Sequence, residues 1–275
     1  MQWSVRGGTG VLLLQLVGLA PPAACPAQAP AARLPPYETF TLESRATAEP
    51  RTVNIYTPPG YAAGTERFPV LYMPDGGVEE DFPHVAGTID SLIALGLIRP
   101  VLVVGVENTV RRRDMTGPTV VGSDSAIAPR VGGSAAFRSF FREELMPEVR
   151  RRFRVTDEAG IVGESLAGLF VVETFLLEPA LFRHYIALSP SLWWNGGALV
   201  QGSGPRVAAL GPAPSTFYLA SADEAIIVPV AAALADTLRQ RAPASLTWFF
   251  EPRPDLTHGT IYRALAPGAF ARVLR

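Results

Sequence analysis

Cysteine is almost missing from this chain: Cys25 is the single one among 275 residues. One thiol cannot close an intrachain disulfide, and if the segment that carries it is cleaved away, a thiol nucleophile is excluded as well. Histidine is nearly as scarce, with His84, His184 and His258 the only imidazoles to serve as a base. Charged residues make up 18% of the chain, and the two signs balance to a formal net charge of -1. That balance gives no global attraction to nucleic acid or to an anionic membrane, so small neutral or locally charged partners are expected. The 48% hydrophobic share is that of a globular chain rather than a disordered one. The apolar run from Val11 to Ala20 is too short to anchor stably across a bilayer.

That run has another reading. It follows Met1 to Arg6, which ends in a positive charge, and precedes the Ala/Pro-rich stretch Pro21 to Ala32. This is the order of a secretory leader, so residues 1–32 are expected to be a leader and 33–275 a single domain, exported to the periplasm or beyond. A buried first helix is the competing account, and Pro21, Pro22, Pro26 and Pro30 would break it. Pro22 and Ala23 match poorly the residues that precede a lipidated cysteine.

Beyond the leader, Arg51 to Thr57 alternates polar and apolar residues and stops at Pro58-Pro59-Gly60, the pattern of an antiparallel edge strand. Phe68 to Met73 and Pro100 to Gly105 are short, Val/Leu-rich runs of the kind buried on both faces of a parallel sheet. Between them Ile89, Leu92, Ile93 and neighbours predict a helix ending near Gly96 to Pro100, so strand, helix and strand alternate. Arg111 to Gly133 has no sustained period and reads as a long loop. From Ser134, a plausible N-cap, Phe137, Phe141, Leu145, Val149 and Phe153 recur every four positions, a helical face that Pro147 should kink.

The remaining order predicts strand 160–162, helix 166–177, strands 185–188 and 216–220, helix 228–241, strand 246–250 and a last helix from Ile261. The expected architecture is α/β, with a mostly parallel central sheet, helices on both faces and no large cap domain.

The sharpest local signal is Gly163-Glu164-Ser165-Leu166-Ala167-Gly168, at the junction of a short apolar strand and an apolar helix. A serine on so tight a strand-to-helix turn needs small residues two positions to either side, and it projects its hydroxyl above the strand ends. The Leu166 N–H, at a helix start, is then placed to bind an oxyanion. Chance alone produces Gly-x-Ser-x-small in a chain this rich in Ala and Gly; the strand-to-helix context is what distinguishes it.

A serine hydroxyl needs a base. His258 follows the last predicted strand among loop-forming residues, whereas His184 opens the strand after the elbow helix and reads as structural, and His84 reads as a rim residue. An acid belongs after a strand between serine and histidine, and Ser221-Ala-Asp223-Glu224 offers two carboxylates, with Glu224 preferred and Asp223 the alternative. Pro74-Asp75-Gly76-Gly77 ends the strand before the first helix, and the Gly76 N–H is expected to be the second oxyanion donor. Arg112 and Arg113 could pair with anionic oxygens of a substrate, or simply be neutralised by Asp114. Trp193 and Trp194 could stack on a substrate ring, although core packing is the safer assignment for at least one of them.

The phrases at 69–77 (P-V-L-Y-M-P-D-G-G), 107–116 (E-N-T-V-R-R-R-D-M-T), 163–168 and 189–195 (S-P-S-L-W-W-N) together resemble an esterase family of α/β hydrolases. That family includes ferric-siderophore esterases, S-formylglutathione hydrolases and mycolyltransferases. The likeness runs from near Arg51 to the end of the chain, and the R-R-R-D-M-T and S-P-S-L-W-W phrases look most like the siderophore-esterase branch. It implies Ser165 as nucleophile, His258 as base, Glu224 as the acid position of this branch, and Gly76 with Leu166 as the oxyanion segment. It also implies a small-molecule ester substrate and no metal or other cofactor. A carbohydrate or general carboxylesterase, an acyltransferase, and a silent ligand-binding domain are the alternatives carried forward.

Overall fold

Period-two alternation along each strand divides the molecule into two cores, one on each face of a single sheet. The computed structural model describes residues 34–127 and 130–275; the expected leader, Cys25 included, lies outside them. In β3 (Phe68–Met73), Val70 and Tyr72 point into one core and Leu71 and Met73 into the other. In β6 (His184–Leu188), Tyr185 and Ala187 oppose Ile186 and Leu188 in the same way. Strands apolar on both sides must be covered on both sides, which makes this a layered α/β structure.

Eight strands form the sheet in the order β1-β2-β4-β3-β5-β6-β7-β8. β1 (Tyr37–Ser44), β2 (Glu49–Tyr56) and β4 (Leu102–Val106) pair antiparallel, and every neighbour from β4 through β3, β5 (Val155–Glu164), β6 and β7 (Ser215–Ala222) to β8 (Leu246–Arg253) is parallel. β2 is therefore not the edge strand that its alternation suggested. β1 is, and it was missed because Y-E-T-F-T-L-E-S is half polar and its outward side chains face solvent.

α1 (Phe82–Ala94) and α10 (His258–Val273) cover one face. α4 (Ser134–Phe140) and α6 (Ser165–Leu177) pack in the core of the other, where Phe137, Phe140, Phe141 and Phe170 interlock. α6 is buried on every side, because it lies between the sheet and further helices.

Three local expectations are corrected. Ser134 is the first helical residue rather than the cap; Gly133 is the cap and Ser134 Oγ donates to Glu173 Oε1 at 2.9 Å. Pro147 does not simply kink a helix. Phe141–Leu145 widens to a π-helical turn before α5 (Met146–Arg152), which places Pro147 in a first helical turn where its missing N–H costs nothing. The stretch expected as a loop holds α2 (Arg111–Met115) and α3 (Gly122–Ile127), both too short to show a period.

A buried ion network fixes α2 to the sheet. Arg51 on β2 is fully buried, its guanidinium 2.8 Å from both Glu49 Oε1 and Asp114 Oδ2 and stacked 5.1 Å from the Phe137 ring. Arg113 closes the network on Asp114, at 2.7 Å, and on Glu49. Neither terminal nitrogen of Arg51 is aligned for a hydrogen bond, so the contact is one of charge at close range.

His84 is a core residue and not part of a rim. It is buried in α1 with its ring edge-on to Tyr262 at 5.2 Å, and burial, reinforced by Arg263, lowers its pKa to about 4. An imidazole protonates near 6.5 in the unfolded chain, so between those values the unfolded state binds the extra proton and stability falls as pH falls. We predict that urea unfolding at pH 7 and pH 4.5 will show wild type losing roughly 3 kcal/mol more than His84→Gln over this interval. Equal losses in the two proteins would show that His84 does not carry this dependence.

Candidate active site

The carboxyl ends of β3, β5, β7 and β8 converge, and each chain segment leaving them contributes to one site. Ligands of open α/β sheets bind at this edge, where neighbouring connections leave in opposite directions. β5 runs directly into α6 with no intervening loop, so the residue at the junction must turn through the left-handed region. That residue is Ser165, with φ 60°. Gly163 is required because a Cβ there would lie 2.6 Å from the Ala167 carbonyl carbon; Ala167, fully buried, is as large as the turn admits. In the first turn of α6 the Leu166 N–H has no acceptor within the helix.

β7 ends at Ala222, and Glu224 follows in the next turn. β8 leads through Asp255 to Thr257, whose hydroxyl and that of Thr260 form a capping box that starts α10 at His258, three residues earlier than predicted. His258 Nδ1 meets Glu224 Oε1 at 2.9 Å. Asp223 is exposed, and its backbone N–H rather than its carboxylate makes the local contact, to Leu256 O. The structure thus brings Glu224 and not Asp223 onto the ring. The second ring nitrogen, Nε2, lies 3.7 Å from Oε1 of Glu164, the residue immediately before the serine. His184, at the start of β6, pairs instead with Glu158 at 2.8 Å.

The S-P-S phrase after β6 ties the two halves together. Ser189, at φ 38°, accepts from the Ala222 N–H through its hydroxyl at 2.9 Å, which anchors the turn that carries Glu224. Ser191 N–H donates to Ser165 O at 2.9 Å, and the hydroxyls of the two serines are 3.4 Å apart.

Gly76 is the expected residue whose role changes. Its N–H donates to Val106 O at 2.8 Å, so it is not offered to a substrate. A Cβ at Gly76 would lie 2.2 Å from Val106 N, which means that glycine is needed for close approach to β4. The Gly77 N–H, by contrast, donates to a side chain, Glu80 Oε2, at 2.7 Å. Buried Asn54 holds this turn by donating to Gly76 O at 2.9 Å.

Asp75, at φ 53° and nearly buried, receives a bidentate grip from Arg111, Nε to Oδ1 at 2.6 Å and Nη2 to Oδ2 at 2.7 Å, with Asn108 adding a third donor. Sequence reasoning selected Arg112 and Arg113 and passed over Arg111, because three adjacent arginines carry no sign of which one turns inward. Arg113 is consumed by the Asp114–Glu49 network, which raises its pKa, and is corrected to a structural role. Arg112 is half-buried and forms no ion pair among the described residues. Trp194 is buried and donates to Gly117 O at 2.9 Å, whereas Trp193 is partly exposed.

The site is acidic overall. Burial raises Glu164 to about 7; His258 pulls it down, while Asp81 and Asp75 push it up. Asp81 is raised to about 6, again chiefly by burial. Among the described residues no group of three or more His, Cys, Asp or Glu side chains could hold a metal ion.

A serine at a strand-to-helix elbow, with a carboxylate and an imidazole on the segments that follow later strands of a mostly parallel sheet, defines an α/β hydrolase. The chain belongs to the family described as Putative esterase, whose model matches residues 44–247, well over half of it. It is 33% identical over 187 residues to the ferri-bacillibactin esterase BesA of Bacillus subtilis, the match covering 59% of this chain and 61% of that protein. It is 30% identical over 181 residues to the siderophore triacetylfusarinine C esterase of Aspergillus fumigatus, covering 59% and 58%. Thus the chain spans about three fifths of the length of these relatives. An IroE-like serine hydrolase from Shewanella oneidensis superposes with a TM-score of 0.79 at 27% identity, over 87% of this chain and 80% of that one.

Proposed function

We propose that the protein is a serine esterase that hydrolyses carboxylic esters through an acyl-enzyme, and that its substrates are ester-linked siderophores. The observation that carries the chemistry is the pairing of His258 Nδ1 with Glu224 at 2.9 Å, which leaves Nε2 turned toward the elbow that presents Ser165. His258 Nε2 takes the proton as Ser165 Oγ attacks the ester carbonyl, and the Leu166 N–H stabilises the oxyanion. Gly77 supplies the second donor, since its amide is held only by a side chain that a substrate can displace. The ring then passes its proton to the leaving alcohol, and water activated by the same nitrogen releases the acid. Glu224 fixes the tautomer and stabilises the imidazolium as it forms.

The substrate class rests on the two curated relatives, each named for a siderophore ester, and on access: His258 is 41% exposed, so the site opens on the surface where a bulky multi-ester can reach it. Export rests on the order of residues 1–32. No helix among the described residues is long and apolar enough to cross a membrane.

The test is hydrolysis of a short p-nitrophenyl ester, a linear catecholate ester and a siderophore trilactone, with products separated by chromatography. The trilactone is expected to give the highest kcat/KM. Glu224→Gln should lower kcat on the order of 10⁴-fold with KM little changed, and Asp223→Asn should leave both near wild type. Loss of activity in Asp223→Asn alone would reassign the acid, and cleavage of the small ester only would remove siderophores as the substrate class.

A further inference from the structure

One carboxylate takes up two backbone amides at the carboxyl edge of the sheet. Glu80, in the turn between β3 and α1, accepts from the Gly77 N–H through Oε2 at 2.7 Å and from the Asn108 N–H through Oε1 at 3.3 Å. No cation pairs with Glu80 among the described residues, and the residue after it, Asp81, is another acid. Gly77 is buried, but side chains rather than backbone cover it: a Cβ there would lie 2.9 Å from Glu80 Oε2 and 3.0 Å from Glu107 Cγ. Amides held by an acid without a cation are arranged as they would be around an oxyanion.

Strand register fixes what this turn stands beside. β3 and β5 are parallel neighbours with Tyr72 opposite Ile161; Gly77 lies five residues past the first and Leu166 five past the second, so their amides leave the sheet edge side by side. Burial raises Glu164 most, and the Asp75 and Asp81 charges that add to it come from the same turn, which sets that turn against the elbow. An N–H donates in one direction, so whatever accepts from Gly77 fills the place an oxyanion would take there. Glu80 Oε2 fills it. The local account of this contact is a cap: Glu80 reaches back three residues to Gly77, while its own N–H donates to Gly77 O at 3.0 Å. Such a cap steadies the turn, and it also closes the amide to any other acceptor.

We infer that Glu80 is a positioning residue that gates the oxyanion hole: its carboxylate occupies the Gly77 N–H before substrate arrives, and it must swing out before that amide can stabilise a tetrahedral oxyanion. The inference rests on the reading of Gly77 as the second oxyanion donor of a serine esterase. A closed fraction lowers the apparent affinity for everything that needs the open hole, and by the same factor for each. Both kcat/KM and the affinity of a tetrahedral transition-state analogue compare the free enzyme with a filled hole, so removing the gate should raise them together.

The experiment compares wild type, Glu80→Gln and Glu80→Ala as the full chain at one pH near neutrality. It measures kcat/KM for p-nitrophenyl acetate, the inhibition constant of phenylboronic acid, which adds to a serine hydroxyl as a tetrahedral anion, and Tm. Glu80→Ala is expected to raise kcat/KM roughly ten-fold and to tighten boronate binding by the same factor, the weight of one charge-assisted hydrogen bond. Glu80→Gln keeps an acceptor of the same shape and loses the charge, so it should gain about three-fold in both. Tm should fall in each variant, because the turn loses part of its cap. Activity that rises while stability falls is a readout that a purely structural residue does not give. In proton–nitrogen correlation spectra the Gly77 amide proton, deshielded by the carboxylate in wild type, should move upfield in Glu80→Ala.

A fall in kcat/KM that tracks the fall in Tm overturns the inference and leaves Glu80 as a cap. A Gly77 amide proton that keeps its wild-type shift in Glu80→Ala overturns it too. Equal rates and equal boronate binding in all three proteins remove the gate and leave the esterase standing, whereas a wild type that neither hydrolyses the ester nor binds the boronate removes the esterase reading and the gate with it.

Discussion

Ser165→Ala is expected to lower kcat for ester hydrolysis by roughly 10⁴- to 10⁶-fold, the loss seen when the nucleophile of a serine triad is removed. The fold should survive, since alanine can adopt the turn at φ 60° for a cost of about 1 kcal/mol, and serine already bears a comparable strain there. Among the described residues the hydroxyl's one hydrogen-bonding contact is with Ser191 Oγ, at a long 3.4 Å, so its removal strands no strongly bonded partner. Substrate binding by the surrounding surface should persist, which puts the effect in kcat and leaves KM nearly unchanged. Parallel kinetics, together with labelling by a serine-directed phosphonate, check this. Wild type should take up one phosphonate per chain and Ser165→Ala none. A variant that keeps more than about a tenth of wild-type kcat would show that another residue is the nucleophile, and Ser191 would be the one to replace next.

Arg51→Ala should be the most destabilising single change away from the site, at about 3–5 kcal/mol in urea unfolding. The side chain is fully buried and lies 2.8 Å from Asp114, which is itself almost completely buried. Removing the arginine leaves a cavity against Phe137 and Phe140 and a carboxylate held only by Arg113. The paired change Arg51→Met with Asp114→Leu should recover most of that loss, because it removes both charges and refills the volume. If the double variant is as unstable as Arg51→Ala, packing rather than charge explains the cost. The network is expected to bear on activity as well. Asp114 belongs to α2, the helix that delivers Arg111 to Asp75, so Arg51→Ala should lower kcat/KM even under conditions where the protein stays folded.

Much of this was legible in one dimension. Buried parallel strands such as Val70 to Met73 announce themselves as apolar runs, since both of their faces are covered. The elbow is legible because its geometry admits only small residues at 163 and 167, and steric exclusion of that kind leaves a fixed local spelling. His258 could be found by elimination, because three histidines leave few choices. β1 and α2 were hidden: one is half exposed, and the other is a single turn whose five residues have no period to read.

Where sequence reasoning went astray, a long-range contact decided the matter. Gly76 reads as an oxyanion loop, but the carbonyl that claims its N–H belongs to Val106, thirty residues later. Arg113 reads equally as a substrate contact and as a partner of Asp114 until Glu49 and Arg51 arrive from another strand and close the network. His84 reads as a rim residue until Tyr262 of α10 covers it.

What this sequence determined by itself, then, was the order of strands and helices, the elbow and the short roster of groups that could act there, because those follow from sterics and periodicity within a few neighbouring residues. Which carboxylate meets His258, which arginine grips Asp75, and that Glu164 stands at the ring's other nitrogen were decided only when β3, β5, β7 and β8 were laid side by side. Charge and hydrogen bonding act through space, and only the assembled sheet edge brings residues 164, 224 and 258 together and sets the charge of Asp75 against Glu164.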